Sequence, residues 1–198
     1  MSLPRTFALY KPFGVLSQFR DEDGHPGLGS LSLGLPKNVW PVGRLDRDSE
    51  GLLLLTSDMA LRHNLMDPAA GHRRMYWAQV EGEATESMLD PMRAPMTLRI
   101  KKKEVRTRPT NCRVLAASPN LPERIPPIRF RQSIPTSWLE LSLTEGKNRQ
   151  VRRMTAAVGL PTLRLVRAGV GDLRLESLNL APGTCVELER VDITKAQA

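Results

Sequence analysis

Four consecutive leucines, Leu52 to Leu55, open on Gly51 and close on Thr56. A run this short and apolar on both faces predicts a buried strand over 51–56. Directly ahead of it lies Val42-Gly43-Arg44-Leu45-Asp46-Arg47-Asp48-Ser49-Glu50-Gly51, with three carboxylates and two guanidiniums between two glycines. A solvated turn would account for the charges alone. It accounts less well for charges delivered straight into an apolar strand. Ser57 or Asp58 is placed to cap a helix over 59–66, because either side chain can accept from a free N–H of the first turn.

The remaining chain reads as short strands and helices. Residues 7–10 predict a strand stopped by Lys11-Pro12, and 17–36, rich in Gly, Ser and Pro, a loop. Residues 75–81 alternate, with Tyr76, Ala78 and Val80 on one face. A helix is expected over 85–93, and basic strands between 97 and 116. Residues 118–136 hold five prolines together with Arg124, Arg129 and Arg131, an extended basic loop. Residues 138–144 alternate with Leu139, Leu141 and Leu143 inward. A helix over 148–158 carries Val151, Met154 and Val158 on one stripe, with Arg149, Arg152 and Arg153 on another. Strands close the chain at 162–167 and 184–191. The sum is an α+β fold with a mixed, largely antiparallel sheet flanked by helices.

Charge narrows the partner. Lys plus Arg number 29 against 21 Asp plus Glu, a net charge of +8. Such an excess favours a polyanion, since cationic side chains displace counterions from phosphates. No apolar run approaches a membrane span. Cys112 and Cys185 form no C-x-x-C pair, and His25, His63 and His72 are scattered, so no metal site is expected. A reducing cytoplasm is the expected compartment.

Three segments can carry chemistry. A carboxylate among arginines, such as Asp46 between Arg44 and Arg47, stays ionised and can serve as a nucleophile. Glu145-Gly146-Lys147-Asn148-Arg149-Gln150-Val151-Arg152-Arg153-Met154 is a turn opening a basic helix. It suits either a phosphate seat or a solvated face. Arg74-Met75-Tyr76-Trp77-Ala78-Gln79-Val80-Glu81-Gly82 sets one of only two tyrosines on a core-facing strand position, where packing is the commoner role.

Together these segments resemble the pseudouridine synthases of the small-subunit/large-subunit ribosomal RNA group. G-R-L-D-R-D-S-E-G-L-L-L-L-T-S-D is similar to that family's nucleophile motif, with Asp46 on its aspartate. Y-K-P-F-G-V-L-S, from Tyr10 to Ser17, is similar to its opening motif. R-M-Y-W-A-Q-V-E-G puts Tyr76 on the active-site tyrosine. E-G-K-N-R-Q-V-R-R-M puts Arg152 on the arginine expected to pair with the aspartate. L-R-L-V-R-A-G-V-G, from Leu163 to Gly171, is similar to the closing motif, where Leu165 would line the uracil pocket. Two positions depart from the pattern: Met59 stands where relatives often have Gly, and Arg74 where they usually have Lys. The proline-rich loop is most similar to that of members acting on large-subunit ribosomal RNA.

The resemblance implies a single catalytic domain over 1–198. It would have two sublobes, a sheet flooring the catalytic cleft, and no separate RNA-binding domain ahead of Tyr10. It implies uridine-to-pseudouridine isomerisation in ribosomal RNA, that of the large subunit (23S), by a monomer with no cofactor and no metal. Asp46, Tyr76 and Arg152 would be catalytic. Arg44, Leu45, Arg47, Lys147, Arg149, Gln150, Arg153 and Leu165 would bind substrate, with Arg124, Arg129 and Arg131 as further phosphate contacts. The uridine would leave its helix to be reached, at a cost of a few kcal/mol. A non-catalytic ribosomal RNA-binding protein would explain the charge but not the Asp46 segment. A glycosidase or metal nuclease would need carboxylates that converge from separate segments.

Overall fold

The computed structural model describes residues 3–128, 133–189, 192, 195 and 196. In chain order the elements begin with β1 (Thr6–Lys11), β2 (Trp40–Pro41), β3 (Glu50–Thr56), α1 (Met59–Met66) and β4 (Arg74–Glu81). Then come α2 (Asp90–Arg93), β5 (Thr97–Ile100), β6 (Lys103–Arg106), β7 (Asn111–Leu115), β8 (Thr136–Leu143) and α3 (Gln150–Ala157). β9 (Thr162–Val170), β10 (Leu173–Arg174) and β11 (Cys185–Glu187) complete the set. The chain divides into two compact units, Met1–His72 with Val166–Ala198, and Arg73–Leu165.

In the first unit the leucine run forms β3, every residue of which is buried. β1 lies antiparallel to it, from Thr6 opposite Thr56 to Lys11 opposite Gly51. β9 lies parallel to it, with Val166 opposite Glu50 and Arg167 opposite Gly51. Gly51 cannot be replaced at this crossing. Its φ is +103°, and a Cβ there would lie 2.4 Å from the Arg167 carbonyl oxygen. β11 flanks β1, β2 pairs with the far end of β3, and β10 folds back on β9. α1 spans the expected residues because both its signals are local. The Asp58 carboxylate accepts from the Leu61 N–H at 3.0 Å, and Leu61 and Leu65, one turn apart, are buried.

In the second unit β4, β8 and β7 form an antiparallel run, and β5 and β6 a separate two-stranded hairpin. Ala78 and Val80 of β4, Leu139, Leu141 and Leu143 of β8, Met92 of α2 and Val151 and Met154 of α3 share one core. Each large apolar side chain buried there contributes about 1.5–3 kcal/mol. Within each unit the pairings are antiparallel apart from β3 with β9, so the α+β, largely antiparallel reading holds.

Three expected elements differ. The helix over 85–93 is a 3-10 turn at Glu86–Leu89 followed by α2, because Pro91 has no N–H to bond to Ser87. The late helix starts at Gln150 rather than 148. Arg149 is its N-cap, in left-handed conformation with φ 50°. Arg149 therefore does not share a helical face with Arg152 and Arg153. The strand expected over 184–191 is Cys185–Glu187, and residues 190 and 191 lie outside the described residues. Arg129 and Arg131 of the proline-rich loop also lie outside them.

Candidate active site

Arg44, Leu45, Asp46 and Arg47 lie in the first unit, on the turn that feeds β3. The Ser49 N–H donates to the Asp46 carbonyl at 3.0 Å and closes this turn. The segment from Lys11 to Ser17 grips it on both sides of Asp46. On one side, the buried Ser17 hydroxyl donates to the Leu45 carbonyl at 2.8 Å and accepts from the Leu45 N–H at 3.0 Å. On the other, the Arg47 carbonyl accepts from the Gly14 N–H at 2.8 Å and from the Lys11 ammonium at 3.5 Å. The backbone on either side of Asp46 is thus fixed by a non-adjacent stretch of chain, while its own side chain stays half-buried. Arg44 and Arg47 are exposed, and the Arg47 guanidinium meets His25 Nδ1 at 3.1 Å.

Beneath this turn lies a layer of buried charge. Lys11, Gly51 and Arg167 are in register across β1, β3 and β9, and the side chains of Lys11, Glu50 and Arg167 are all buried. The Lys11 ammonium donates to the carbonyls of Pro12 and Val15 at 2.8 and 2.6 Å. Burial pulls its pKa down to about 8, against the opposing pull of Glu50, Asp48 and Asp46. The Arg167 Nε donates to the Leu52 carbonyl at 2.7 Å. These roles for Lys11, Ser17, Glu50 and Arg167 went unassigned in the sequence. The available signal was charge at strand positions otherwise filled by apolar residues.

Tyr76, Lys147, Arg149, Gln150, Arg152, Arg153 and Leu165 lie in the second unit. Tyr76 sits on β4 opposite Leu141 and packs on the core to which Leu165 belongs. Arg152 is half-buried and donates from its guanidinium to the Thr162 carbonyl at 3.2 Å. Much of the late basic segment is occupied with its own turn. Lys147 is ion-paired with Glu145. Gln150 is buried, donates to Glu145 at 2.7 Å and accepts from the Lys147 N–H at 2.9 Å. Its amide braces the turn. Burial alone would raise the Glu145 pKa, but Lys147, the Arg108 N–H and Gln150 together hold it below the usual range. Arg153 donates to the carbonyls of Asn148 and Arg99 at 3.2 and 3.0 Å.

Among the described residues no three His, Cys, Asp or Glu side chains group as metal ligands, and no helix is long and apolar enough to cross a membrane. The fold is that of a pseudouridine synthase. A solved structure described as a pseudouridylate synthase matches with a TM-score of 0.77 at 24% identity, over 99% of this chain and 75% of the other. A family model described as RNA pseudouridylate synthase matches residues 5–157, and the chain belongs to that family of RNA-modifying enzymes. It is similar to the ribosomal large subunit pseudouridine synthase E of Xanthomonas axonopodis pv. citri. That relative is 52% identical over 86% of this chain and 87% of its own length. It is also similar to the ribosomal large subunit pseudouridine synthase B of Bacillus subtilis, at 32% identity over 98% of this chain and 72% of the relative.

Proposed function

We propose that the protein isomerises a specific uridine of large-subunit ribosomal RNA to pseudouridine, acting as a cytoplasmic monomer with no metal or cofactor. Asp46 is the essential carboxylate of this reading. The observation that carries it is the double grip on Leu45 and Arg47, which fixes the backbone around Asp46 and leaves its carboxylate half-buried. A catalytic group carried on a backbone fixed in advance loses less freedom when the substrate arrives, and this can lower a barrier by several kcal/mol. The names of its relatives support ribosomal RNA as substrate.

The reaction breaks the N1–C1′ glycosidic bond and joins C5 to C1′. The C5 proton is lost and N1 regains one, so mass is unchanged. Asp46 engages the nucleoside as the glycosidic bond breaks. Tyr76 stacks on the released base or takes its proton, Leu165 lines the uracil pocket, and Arg152 is the third catalytic residue of this reading. Arg44, Arg47 and Arg149, all exposed, are the phosphate contacts this reading favours. Leu45, gripped at both N–H and carbonyl, serves the turn.

Asp46→Asn is expected to cut pseudouridine formation by roughly 10⁴-fold or more. RNA affinity should stay within about twofold, since the phosphate contacts are untouched. Chemical labelling of pseudouridine in ribosomal RNA, with and without the protein, reads the first quantity. Fluorescence anisotropy reads the second. Retained turnover in Asp46→Asn would refute the assignment, and RNA binding by a wild type that forms no pseudouridine would favour a non-catalytic RNA-binding role.

A further inference from the structure

The hairpin β5–β6 is absorbed by none of the motifs above. Thr97 pairs with Arg106, Leu98 with Val105, Arg99 with Glu104 and Ile100 with Lys103, forming a two-stranded sheet of its own. Leu98 and Ile100 are buried in the core of the second unit, and Val105 packs against it. Arg99, Lys101, Lys102, Lys103, Arg106 and Arg108 are all exposed, and Glu104 is the one carboxylate in this stretch. Among the described residues, none of Lys101, Lys102, Lys103 or Arg106 joins an ion pair.

The tip is the telling part. Lys101 and Lys102 form the two-residue turn, with φ of 48° and 65°. Both positions are left-handed, where Asn-Gly is strongly preferred and a longer side chain costs stability. Folding alone does not select lysine there, and two adjacent ammonium groups also repel each other. Their selection is explained by a charge the tip must present.

The arm is braced at its base. The Met96 carbonyl accepts from the Thr107 N–H at 2.9 Å, and the Thr107 hydroxyl accepts from the Met96 N–H at 3.1 Å. Arg153 of α3 holds the Arg99 carbonyl at 3.0 Å, and the Arg108 N–H donates to Glu145 at 2.8 Å. The hairpin is therefore tied directly to the late basic segment. Arg153 appears in the motif as a further cation but is spent on aiming this arm.

We propose that the β5–β6 hairpin is an RNA-docking arm, whose Lys101, Lys102, Lys103, Arg99 and Arg106 seat on the phosphate backbone beside the target uridine. It rests on the RNA-directed function above. A braced ribbon of unpaired cations with its apolar residues turned inward suits a polyphosphate. A membrane surface would require exposed apolar anchors, which its outer side lacks.

The turn allows an unusual test, because the variant that removes the charge is also the one the backbone prefers. In Lys101→Asn/Lys102→Gly the melting temperature should hold or rise. Its Kd for a fluorescent RNA stem–loop should rise by roughly 5- to 50-fold near 0.1 M salt, and the slope of log Kd against log salt should fall by about 1.5. Turnover at saturating ribosomal RNA transcript should be unchanged, and Lys101→Arg/Lys102→Arg should restore the wild-type affinity and slope. Lys103→Gln/Arg106→Gln, off the turn, should give the same loss of affinity and slope. An unchanged Kd and slope in both charge-removing variants would overturn the proposal. A wild type that binds the stem–loop through this arm yet forms no pseudouridine would instead refute the catalytic reading and leave the arm standing.

Discussion

The turn around Asp46 and the turn around Lys147 look alike in sequence, since each sets acidic and basic residues beside a glycine. They are built in opposite ways. At Asp46 a distant stretch of chain holds the backbone through Leu45 and Arg47. At Lys147 the segment's own side chains do the holding: Glu145, Lys147, Gln150 and Arg153 are all engaged within their own segment or its neighbour. A count of charges therefore says little about which are offered to a ligand. What separates the two turns is whether the backbone is satisfied from outside or by the segment's own side chains.

Four measurements break or sharpen that contrast. The largest effect is expected at Gly51→Ala, where the new Cβ would meet the Arg167 backbone and the φ of +103° is closed to alanine. A loss of about 4 kcal/mol or more is expected in urea denaturation. A loss under about 1 kcal/mol would mean that β3 and β9 can separate freely.

Ser17→Ala comes next. Removing a hydroxyl that both donates to and accepts from Leu45 should displace Asp46 and lower kcat by about 10²-fold. RNA affinity should hold, and Ser17→Thr, which keeps the hydroxyl, should recover most of the rate. Equal kcat in the Ala and Thr variants would remove Ser17 from the grip.

The third concerns Lys11 and pH. Its folded pKa of about 8 is below its ordinary 10.5. Between these values the unfolded chain binds the proton more tightly, so this group's contribution to stability rises with pH from about 8 to 10.5 and is lost as pH falls through 8. Wild type should gain stability over Lys11→Met as pH rises through that window. Parallel curves for the two proteins would refute a depressed Lys11.

The smallest effect is expected at the second turn. Glu145→Gln should cost about 1–2 kcal/mol at neutral pH by releasing Lys147 and the Arg108 N–H. Since the Glu145 pKa is held down in the fold, that contribution should vanish as pH falls below the carboxylate range. A pH-independent difference from wild type would show that shape, not charge, holds this turn.

Local signals made much of this legible. α1 was bounded correctly because cap and periodicity both lie within its own residues. β4 and β8 followed from alternation, and the inward leucines of β8 are all buried. What stayed hidden depends on distant partners. β2 and β10 are two-residue ladders that exist only through pairing with β3 and β9. Ser17 reads as one more small polar residue in a Gly- and Pro-rich loop until its bonds to Leu45, 28 residues away, are seen. In the same way the bonds of Gln150 and Lys147 within their own turn cannot be read from the motif.

The β3–β9 crossing also has a bearing on how the protein is made. Arg167 meets Leu52 across 115 positions of chain, so β3 leaves the ribosome long before its parallel neighbour exists. Arg73–Leu165, by contrast, is one continuous stretch and can fold during synthesis. On this order of events β3 stands without its parallel neighbour until Arg167 has been made, while the grip of Lys11 to Ser17 on the Asp46 turn is available from the start.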